Sequence, residues 1–180
     1  MRIIAGKFKK SKLFSVEGKR ARPTSDFMKE VIFNVLFECE GQNVLDLYAG
    51  SGALGLEAIS RGAESAVFVE FSDRAIATIK KNIDKLKCNS QAKVYKKRVS
   101  SYLNWNKVKF DLIFIDPPYD KNLLNKTIKK ILEKETLKKG GKIIAEHSIR
   151  EKIDPEFAEL IEFNKKTRSN QLSILIEREL

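Results

Sequence analysis

The chain has 180 residues, of which 42% are apolar, with only four prolines and nine glycines. This size and composition suit one globular domain with a single core. No stretch reaches the roughly 18 uninterrupted apolar residues of a membrane span, and the first residues lack the apolar core of a signal peptide, so we expect a cytoplasmic protein with no membrane partner. Cys39 and Cys88 stand alone in the sequence, which predicts reduced thiols and no metal site.

Basic residues are concentrated at the start of the chain. The whole protein has a net charge of +11, and residues 1–22 carry eight Lys and Arg against Glu17 alone, a net charge of +7. Such an excess favours a polyanionic partner. Apolar residues recur among these cations, with Gly6 between them, whereas a disordered arm would have little use for apolar side chains. The segment is therefore predicted to form a small hairpin that packs against the main domain and exposes its lysines to such a partner.

Apolar runs and helical periodicities alternate along the rest of the chain. This alternation predicts an α/β domain whose sheet is mostly parallel and covered by helices on both faces. The last two strands are too close in sequence for an intervening helix, so they are expected to pair antiparallel. The predicted strands lie at 44–48, 66–70, 93–96 (the weakest), 111–115, 142–146, 159–163 and 172–177, and the predicted helices at 27–36, 53–60, 75–86 and 123–132.

The first predicted strand leads into the glycine-rich loop DLYAGSGALG. Gly50, Gly52 and Gly55 fit the G-x-G-x-x-G pattern, which is compatible with a dinucleotide site. Asp46 disfavours that interpretation, because a carboxylate beside the glycines would repel a pyrophosphate at the helix N-terminus. A carboxylate here suits a ligand that presents an ammonium and a sulfonium group, as S-adenosylmethionine does. Glu70 ends the second strand, where an acid can accept both hydroxyls of a ribose.

The fourth main strand ends in Asp-Pro-Pro-Tyr, next to the first strand in a doubly wound sheet. This sequence is also compatible with a simple turn. Beside a glycine loop it favours chemistry on an exocyclic amine, whose lone pair is delocalised into a nucleobase. The Asp116 side chain and the Pro117 carbonyl can accept the two N–H groups of that amine, and the prolines stiffen the loop. Tyr119 supplies a ring on which a flipped base can stack.

Four segments carry a resemblance to known proteins: MRIIAGKFKKSKL at the start, RPTSD at 22–26, VLDLYAGSGALGLEAISRGA at 44–63 and DPPYD at 116–120. They resemble the bacterial small-subunit ribosomal RNA guanine-N2 methyltransferases, the RsmD family, over essentially the whole chain. The resemblance implies a class I S-adenosylmethionine-dependent methyltransferase with a Rossmann-like, seven-stranded, mostly parallel sheet, an antiparallel last strand and a short basic N-terminal β-hairpin. It also implies S-adenosylmethionine as the methyl donor and, as the acceptor, one guanine of 16S rRNA in a hairpin loop that faces the P site.

The residues and the resemblance together define a predicted site without a metal. One departure from the family is that no acid follows the third strand, where an Asp commonly contacts the adenine, so Ser100 or backbone groups are predicted to make this contact. His147 is predicted to be structural. The predicted catalytic residues are Asp116, Pro117 and Tyr119; the donor-binding residues are Asp46, Tyr48, Gly50, Gly52, Glu70, Phe71 and Ser100; and the RNA-binding residues are Arg2, Lys7, Lys9, Lys10, Lys12, Arg22 and Thr24.

Three other functions remain open at this stage. An N6-adenine methyltransferase would use the same Asp-Pro-Pro-Tyr loop, but the basic first segment favours the rRNA enzymes. A non-catalytic RNA-binding module would keep the charge without needing Asp46 or the intact tetrad. A nicotinamide dehydrogenase is disfavoured by Asp46. The expected partner is 16S rRNA or an assembly intermediate of the small ribosomal subunit, and a monomer is expected.

Overall fold

The structure, a computed structural model, describes residues 1–17, 26–36, 39–118, 121–167 and 170–177. Three residues of the predicted site, Arg22, Thr24 and Tyr119, lie outside these described residues. Within them, no helix has both the length and the apolar character needed to cross a bilayer.

Helices and strands alternate along the described chain, as the sequence predicted. The order is α1 (Asp26–Leu36), β1 (Asn43–Leu47), α2 (Ala53–Ser60), β2 (Ser65–Glu70), α3 (Asp73–Leu86), β3 (Ala92–Lys96), α4 (Val99–Trp105), β4 (Phe110–Ile115), α5 (Leu123–Glu133), β5 (Leu137–Ser148), β6 (Ile161–Lys166) and β7 (Asn170–Ile176).

The seven strands form one sheet in the order β3-β2-β1-β4-β5-β7-β6. The first five strands along the chain run parallel, and β7 pairs antiparallel with both β5 and β6. The predicted antiparallel pairing of the last two strands is therefore confirmed. Strands β1 and β4 are neighbours, with Leu47 opposite Ile115, so the loops that follow them open at the same edge of the sheet.

Three elements illustrate how the prediction and the structure differ, beyond shifts of one or two residues at the ends of other elements. Strand β5 starts five residues earlier than predicted, because a register shift lets the chain continue through Gly140, which has a φ of 70°. Strand β6 starts two residues later, because Pro155–Leu160 forms a 3₁₀ helix. Helix α4 was not predicted, although it buries Val99, Tyr102 and Leu103 at the spacing of one helical face.

The sheet separates two apolar cores. One core lies on the side of α1, α2 and α3 and includes Phe68 of β2 and Phe114 of β4. The other lies on the side of α4 and α5. The N-terminal segment belongs to the first core, since Ile3 is fully buried and Leu13 almost so.

Residues 1–13, which we call the arm, form the predicted short hairpin. The amide of Ile3 donates to Ser11, the amide of Lys10 donates back to Ile3, and the amide of Leu13 donates to Met1. Arg2 and Lys12 form the single bridge between its two sides. The arm thus packs against the domain by apolar side chains while its cations stay exposed.

Candidate functional site: a crevice at the carboxyl edge of the sheet

The glycine loop joins β1 to α2 through left-handed backbone. Tyr48, Gly50 and Gly52 have φ values of 60°, 56° and 79°. A Cβ on Gly52 would lie 3.3 Å from the ring of Phe68, and a Cβ on Gly55 would lie only 2.4 Å from it. The glycines therefore allow the tight turn and let the first turn of α2 approach β2 closely.

Asp46 is buried directly beneath this loop. Its carboxylate is only 3% exposed and accepts a hydrogen bond of 3.0 Å from the amide of Gly55, in the first turn of α2. Burial raises the pKa of Asp46 to about 8, although the Gly55 hydrogen bond lowers it. The described hydrogen bond of Asp46 thus positions the loop, and its contact with a ligand stays a prediction.

Glu70 at the end of β2 connects the two loops that flank it. One carboxylate oxygen accepts from the Gly50 amide at 3.0 Å, and the other accepts from the amides of Phe71 and Ser72 at 2.8 and 2.9 Å. These amides hold the carboxylate at the carboxyl edge of the sheet, which is the position predicted for an acceptor of ribose hydroxyls.

A cavity of about 630 Å³ opens beside Glu70 and brings several predicted residues together. Its lining includes Tyr48 after β1, Glu70 and Phe71 at the end of β2, Ser100 in the first turn of α4, and Pro118 in the segment after β4. Its size is that of a site for a nucleoside-sized ligand. Asp46, Gly50 and Gly52 lie outside the lining, under or within the loop that bounds it.

The rest of the cavity wall comes from α4, α5 and the loop before α4. The Tyr48 hydroxyl lies 2.8 Å from Oγ1 of Thr127 on α5, and burial raises the pKa of this tyrosine.

Five cations and two acids line the cavity wall, so its charge favours an anionic ligand or polymer nearby. These charged residues are Lys97, Arg98, Lys126, Lys129 and Lys130, with Glu70 and Glu133.

The Asp-Pro-Pro segment borders the same cavity. It follows Ile115, the residue opposite Leu47 at the end of β1. Asp116 is half-buried, Pro117 is buried, and Pro118 is exposed at the cavity wall. The segment therefore reaches the predicted donor cavity through Pro118, whereas the predicted catalytic residues Asp116 and Pro117 lie outside the cavity lining.

Glu57, which was not predicted from the sequence, fixes the arm to α2. Its fully buried carboxylate accepts from the amides of Ile4 and Ala5 at 2.8 and 3.0 Å, and it pairs with Arg61 at 2.9 Å and with the buried Lys29 at 3.8 Å. A signal was present, because Glu57 is the single charged residue of an otherwise apolar and small-residue helix.

Asn82 of α3, which was also not predicted from the sequence, connects Phe14, directly after the arm, to the glycine loop. The residue is fully buried, and its amide group donates to the carbonyls of Phe14 and Ser51 at 3.1 and 3.0 Å. Its side-chain oxygen accepts from the amide of Phe14 at 2.8 Å. Asn82 is thus the shared hydrogen-bonding partner of Phe14, directly after the arm, and of Ser51 in the glycine loop.

The predicted RNA-binding cations of the arm are exposed but do not form one cluster. Arg2 and Lys12 lie opposite each other, near the residues that contact the glycine loop. Lys7 lies at the other end of α2, where its amide donates to Ser60 and its ammonium contacts Gln91 at 2.6 Å. Because α2 has eight residues, these groups are separated by about 12 Å along the helix.

His147 and the cysteines lie outside the crevice lining. His147 is buried, with its ring nitrogens 2.9 Å from the Ser173 hydroxyl and 3.0 Å from the Ser148 carbonyl, and burial lowers its pKa. Cys39 and Cys88 are buried free thiols, and burial raises the pKa of each. Among the residues that the structure describes, no three His, Cys, Asp or Glu side chains are grouped to hold a metal ion.

The sheet order, the glycine loop held by Asp46 and the acid after β2 define a class I methyltransferase fold. A solved structure of the Escherichia coli protein yhhF superposes with a TM-score of 0.87 at 30% identity, covering 99% of each chain. Residues 1–176 match the family model described as Conserved hypothetical protein 95, and the chain belongs to that family.

Two curated relatives have names that state a substrate. The ribosomal RNA small subunit methyltransferase D of Haemophilus influenzae is 39% identical over 150 residues, which cover 81% of this chain and 78% of the relative. The protein of the same name from Buchnera aphidicola subsp. Baizongia pistaciae is 32% identical over 178 residues, which cover 97% of this chain and 90% of the relative.

Proposed function

We propose that the protein transfers the methyl group of S-adenosylmethionine to the exocyclic N2 of one guanine in 16S rRNA. The observation that carries the proposal is that Pro118, in the segment after β4, lines the same cavity as Glu70 at the end of β2. The names of the two relatives support rRNA of the small subunit as the substrate.

The donor fits the cavity by its chemistry. Glu70 offers carboxylate oxygens to the ribose, and Phe71, which is 53% exposed, offers a ring face beside the predicted adenine contact at Ser100. Tyr48 and the glycine loop border the side toward β1. When bound, S-adenosylmethionine supplies an electrophilic methyl group, and the chain supplies the geometry.

The proposed role of the Asp-Pro-Pro segment is to orient the acceptor amine. The Asp116 carboxylate and the Pro117 carbonyl accept its two N–H groups and direct its lone pair at the methyl group, so that one N–C bond forms as the S–C bond breaks. The electron pair of the S–C bond stays on sulfur, which leaves as S-adenosylhomocysteine, and the methylated amine then releases one proton to water. Pro117 is buried, which fixes its carbonyl before the substrate arrives.

Replacement of Asp116 by Ala tests this role. Single-turnover methylation of 16S rRNA should fall by roughly 100-fold or more, because an acceptor that positions the amine is removed, while donor affinity changes little. The matched control is Asp154→Ala, on the exposed surface before the 3₁₀ helix. A rate within about threefold of the unmodified protein would exclude Asp116 as the orienting group.

Mapping the product tests the function itself. Mass spectrometry of digested 16S rRNA from a deletion strain should reveal one guanine that lacks its N2-methyl group, restored by adding the purified protein and donor to that RNA. Loss of N6-methyladenine instead would support the adenine methyltransferase, which the same Asp-Pro-Pro segment would serve. The partner we propose is 16S rRNA or an assembly intermediate of the small subunit, bound by a monomer.

A further inference from the structure

Trp105 at the end of α4 is an exposed aromatic residue held in a fixed position. Its side chain is 53% exposed, although tryptophan is usually among the most buried side chains. Tyr95 of β3 and Tyr102 of α4 pack against it, with ring centroids 5.6 and 6.0 Å away. Tyr102 is itself buried and bonded to Asn106, so the indole rests on a rigid support.

Two cations between β3 and α4 contact exposed aromatic rings of neighbouring elements. The ammonium of Lys97 lies 4.4 Å from the centre of the Trp105 ring, and the guanidinium of Arg98 lies 4.4 Å from that of Phe71. Both cations also line the donor cavity. The Trp105 surface is therefore continuous with the mouth of the predicted active site.

Protection of an edge strand does not account for this surface. Strand β3 is at the edge of the sheet, and lysines on such strands oppose aggregation. Lys93 and Lys96 meet that need, because both lie within β3. Arg98 and Trp105 lie beyond the strand, and an exposed indole at an edge would favour association rather than prevent it.

We propose that Lys97, Arg98 and Trp105, the Trp105 platform, form a second RNA-contact surface that stacks an unpaired base flanking the target nucleotide. This inference rests on the proposed function. A base offers the indole a flat π face, and stacking is worth more than an exposed cation–π contact, so a base can replace Lys97 on the ring. The flexible Lys97 side chain then reaches a neighbouring phosphate, as Arg98 does.

The position of the platform complements that of the arm. The arm packs into the core on the α1, α2 and α3 side of the sheet, whereas α4 belongs to the core on the other side. RNA that contacts both surfaces would cross the carboxyl edge, where the Asp-Pro-Pro segment lies. A single-stranded loop suits this path, because its bases can be splayed from one another.

The chain contains a single tryptophan, so its fluorescence reports directly on the platform. We expect a single-stranded RNA copied from the methylated loop to quench this fluorescence in a saturable way. A variant with Lys7, Lys9, Lys10 and Lys12 replaced by Ala should bind this RNA more weakly but still show the quench. Fluorescence anisotropy of the labelled RNA measures total binding in parallel.

Substitutions at the platform provide the second arm of the test. Trp105→Ala should weaken affinity for the RNA by about 5- to 150-fold, the range for one stacked base, and Trp105→Phe should keep affinity within about threefold. Lys97→Gln should weaken binding and flatten its salt dependence. Lys139→Ala, an exposed lysine at the start of β5, is the control and should change neither.

The outcomes separate the platform from the proposed function. RNA that binds by anisotropy without quenching Trp105, or that binds Trp105→Ala and Trp105→Phe equally, overturns the inference. Equal quenching by an acidic peptide also overturns it, in favour of a protein partner. If any of these three results is found while methylation of the mapped guanine persists, the proposed function stands and the platform fails. If RNA quenches Trp105 but no guanine is methylated, the platform stands and the proposed function fails.

Discussion

At the scale of single residues, Glu70 is the acid on which donor binding should depend most. Glu70→Ala should weaken S-adenosylmethionine binding by roughly 1.5 to 3 kcal/mol, because hydrogen bonds to a charged group are lost. Isothermal titration calorimetry measures this affinity, with Glu64→Ala, an exposed acid at the turn before β2, as the matched control. Unchanged affinity in the Glu70 variant would refute its assignment to the donor.

Asp46 should give the protein a distinctive dependence of stability on pH. Burial raises the pKa of this carboxyl to about 8 in the folded protein, above the usual value of 3.8. The folded state therefore holds this proton more tightly than the unfolded chain does. The resulting stability is fully present below about pH 3.8 and is lost as the pH rises toward 8.

Asp46→Asn removes this titration while an amide oxygen can still accept from Gly55. We expect the midpoint of thermal unfolding to fall less steeply between pH 5 and pH 8 in the variant than in the unmodified protein. Scanning calorimetry at several pH values measures the difference. Parallel profiles would mean that the Gly55 amide keeps the carboxylate ionised throughout this range.

At the scale of elements, the packing of the arm against α2 depends on Gly6. This residue has a φ of 79°, and a Cβ there would lie 1.7 Å from the Ser60 carbonyl oxygen. Gly140 offers a matched comparison, since its φ is 70° and no atom lies within 4 Å of the corresponding Cβ. Gly6→Ala has both backbone strain and a backbone clash, whereas Gly140→Ala has only the strain.

We therefore expect Gly140→Ala to destabilise the fold by about 1 to 2 kcal/mol and Gly6→Ala to destabilise it clearly more. Urea unfolding of both variants measures the difference. Similar losses would show that the arm can shift away from Ser60 at little cost.

The centre of the sheet was predictable from sequence because β1, β2 and β4 are largely apolar runs, whereas β3 and β6 at the two edges contain charged residues. Asp46, Glu70 and Asp116 could be placed at one edge for the same reason, since parallel strands share their carboxyl ends. Helix α4 was not predicted because the segment after β3 was interpreted as a loop that contacts the donor. Val99, Tyr102 and Leu103 nevertheless have the spacing of one buried helical face.

The arm's anchors could not be identified so readily. Asn82 falls on the buried face of α3 between Ile79 and Ile83, and Glu57 lies in a buried helix. Sequence alone does not say which distant backbone groups satisfy a buried polar side chain, because the backbone partners of Glu57 and Asn82 lie 31 to 68 residues away along the chain.

At the scale of the whole molecule, charge should govern the binding of RNA. If about five of the cations in residues 1–22 meet phosphates, the logarithm of affinity should fall with the logarithm of salt at a slope near −3.5 to −4.5. Replacing Lys7, Lys9, Lys10 and Lys12 with Ala should flatten this slope by about three, with donor affinity unchanged. If the salt-dependence slopes of the variant and the unmodified protein are equal, these lysines face solvent and do not contact the phosphates of the RNA.

The bonds that Glu57 makes to the arm, and that Asn82 makes to Phe14 directly after it, decide how the role of the arm can be studied. Deleting the arm would leave buried Glu57 without its two amide partners, and a deletion that reached Phe14 would leave Asn82 holding only Ser51. Each buried polar group left without a partner costs about 1 to 3 kcal/mol. Failure of a truncated protein to methylate would therefore not distinguish loss of the cations from loss of the contacts that hold α2 and the glycine loop. Substitution of exposed lysines leaves this scaffold intact, so point variants can separate docking from catalysis where deletion confounds them.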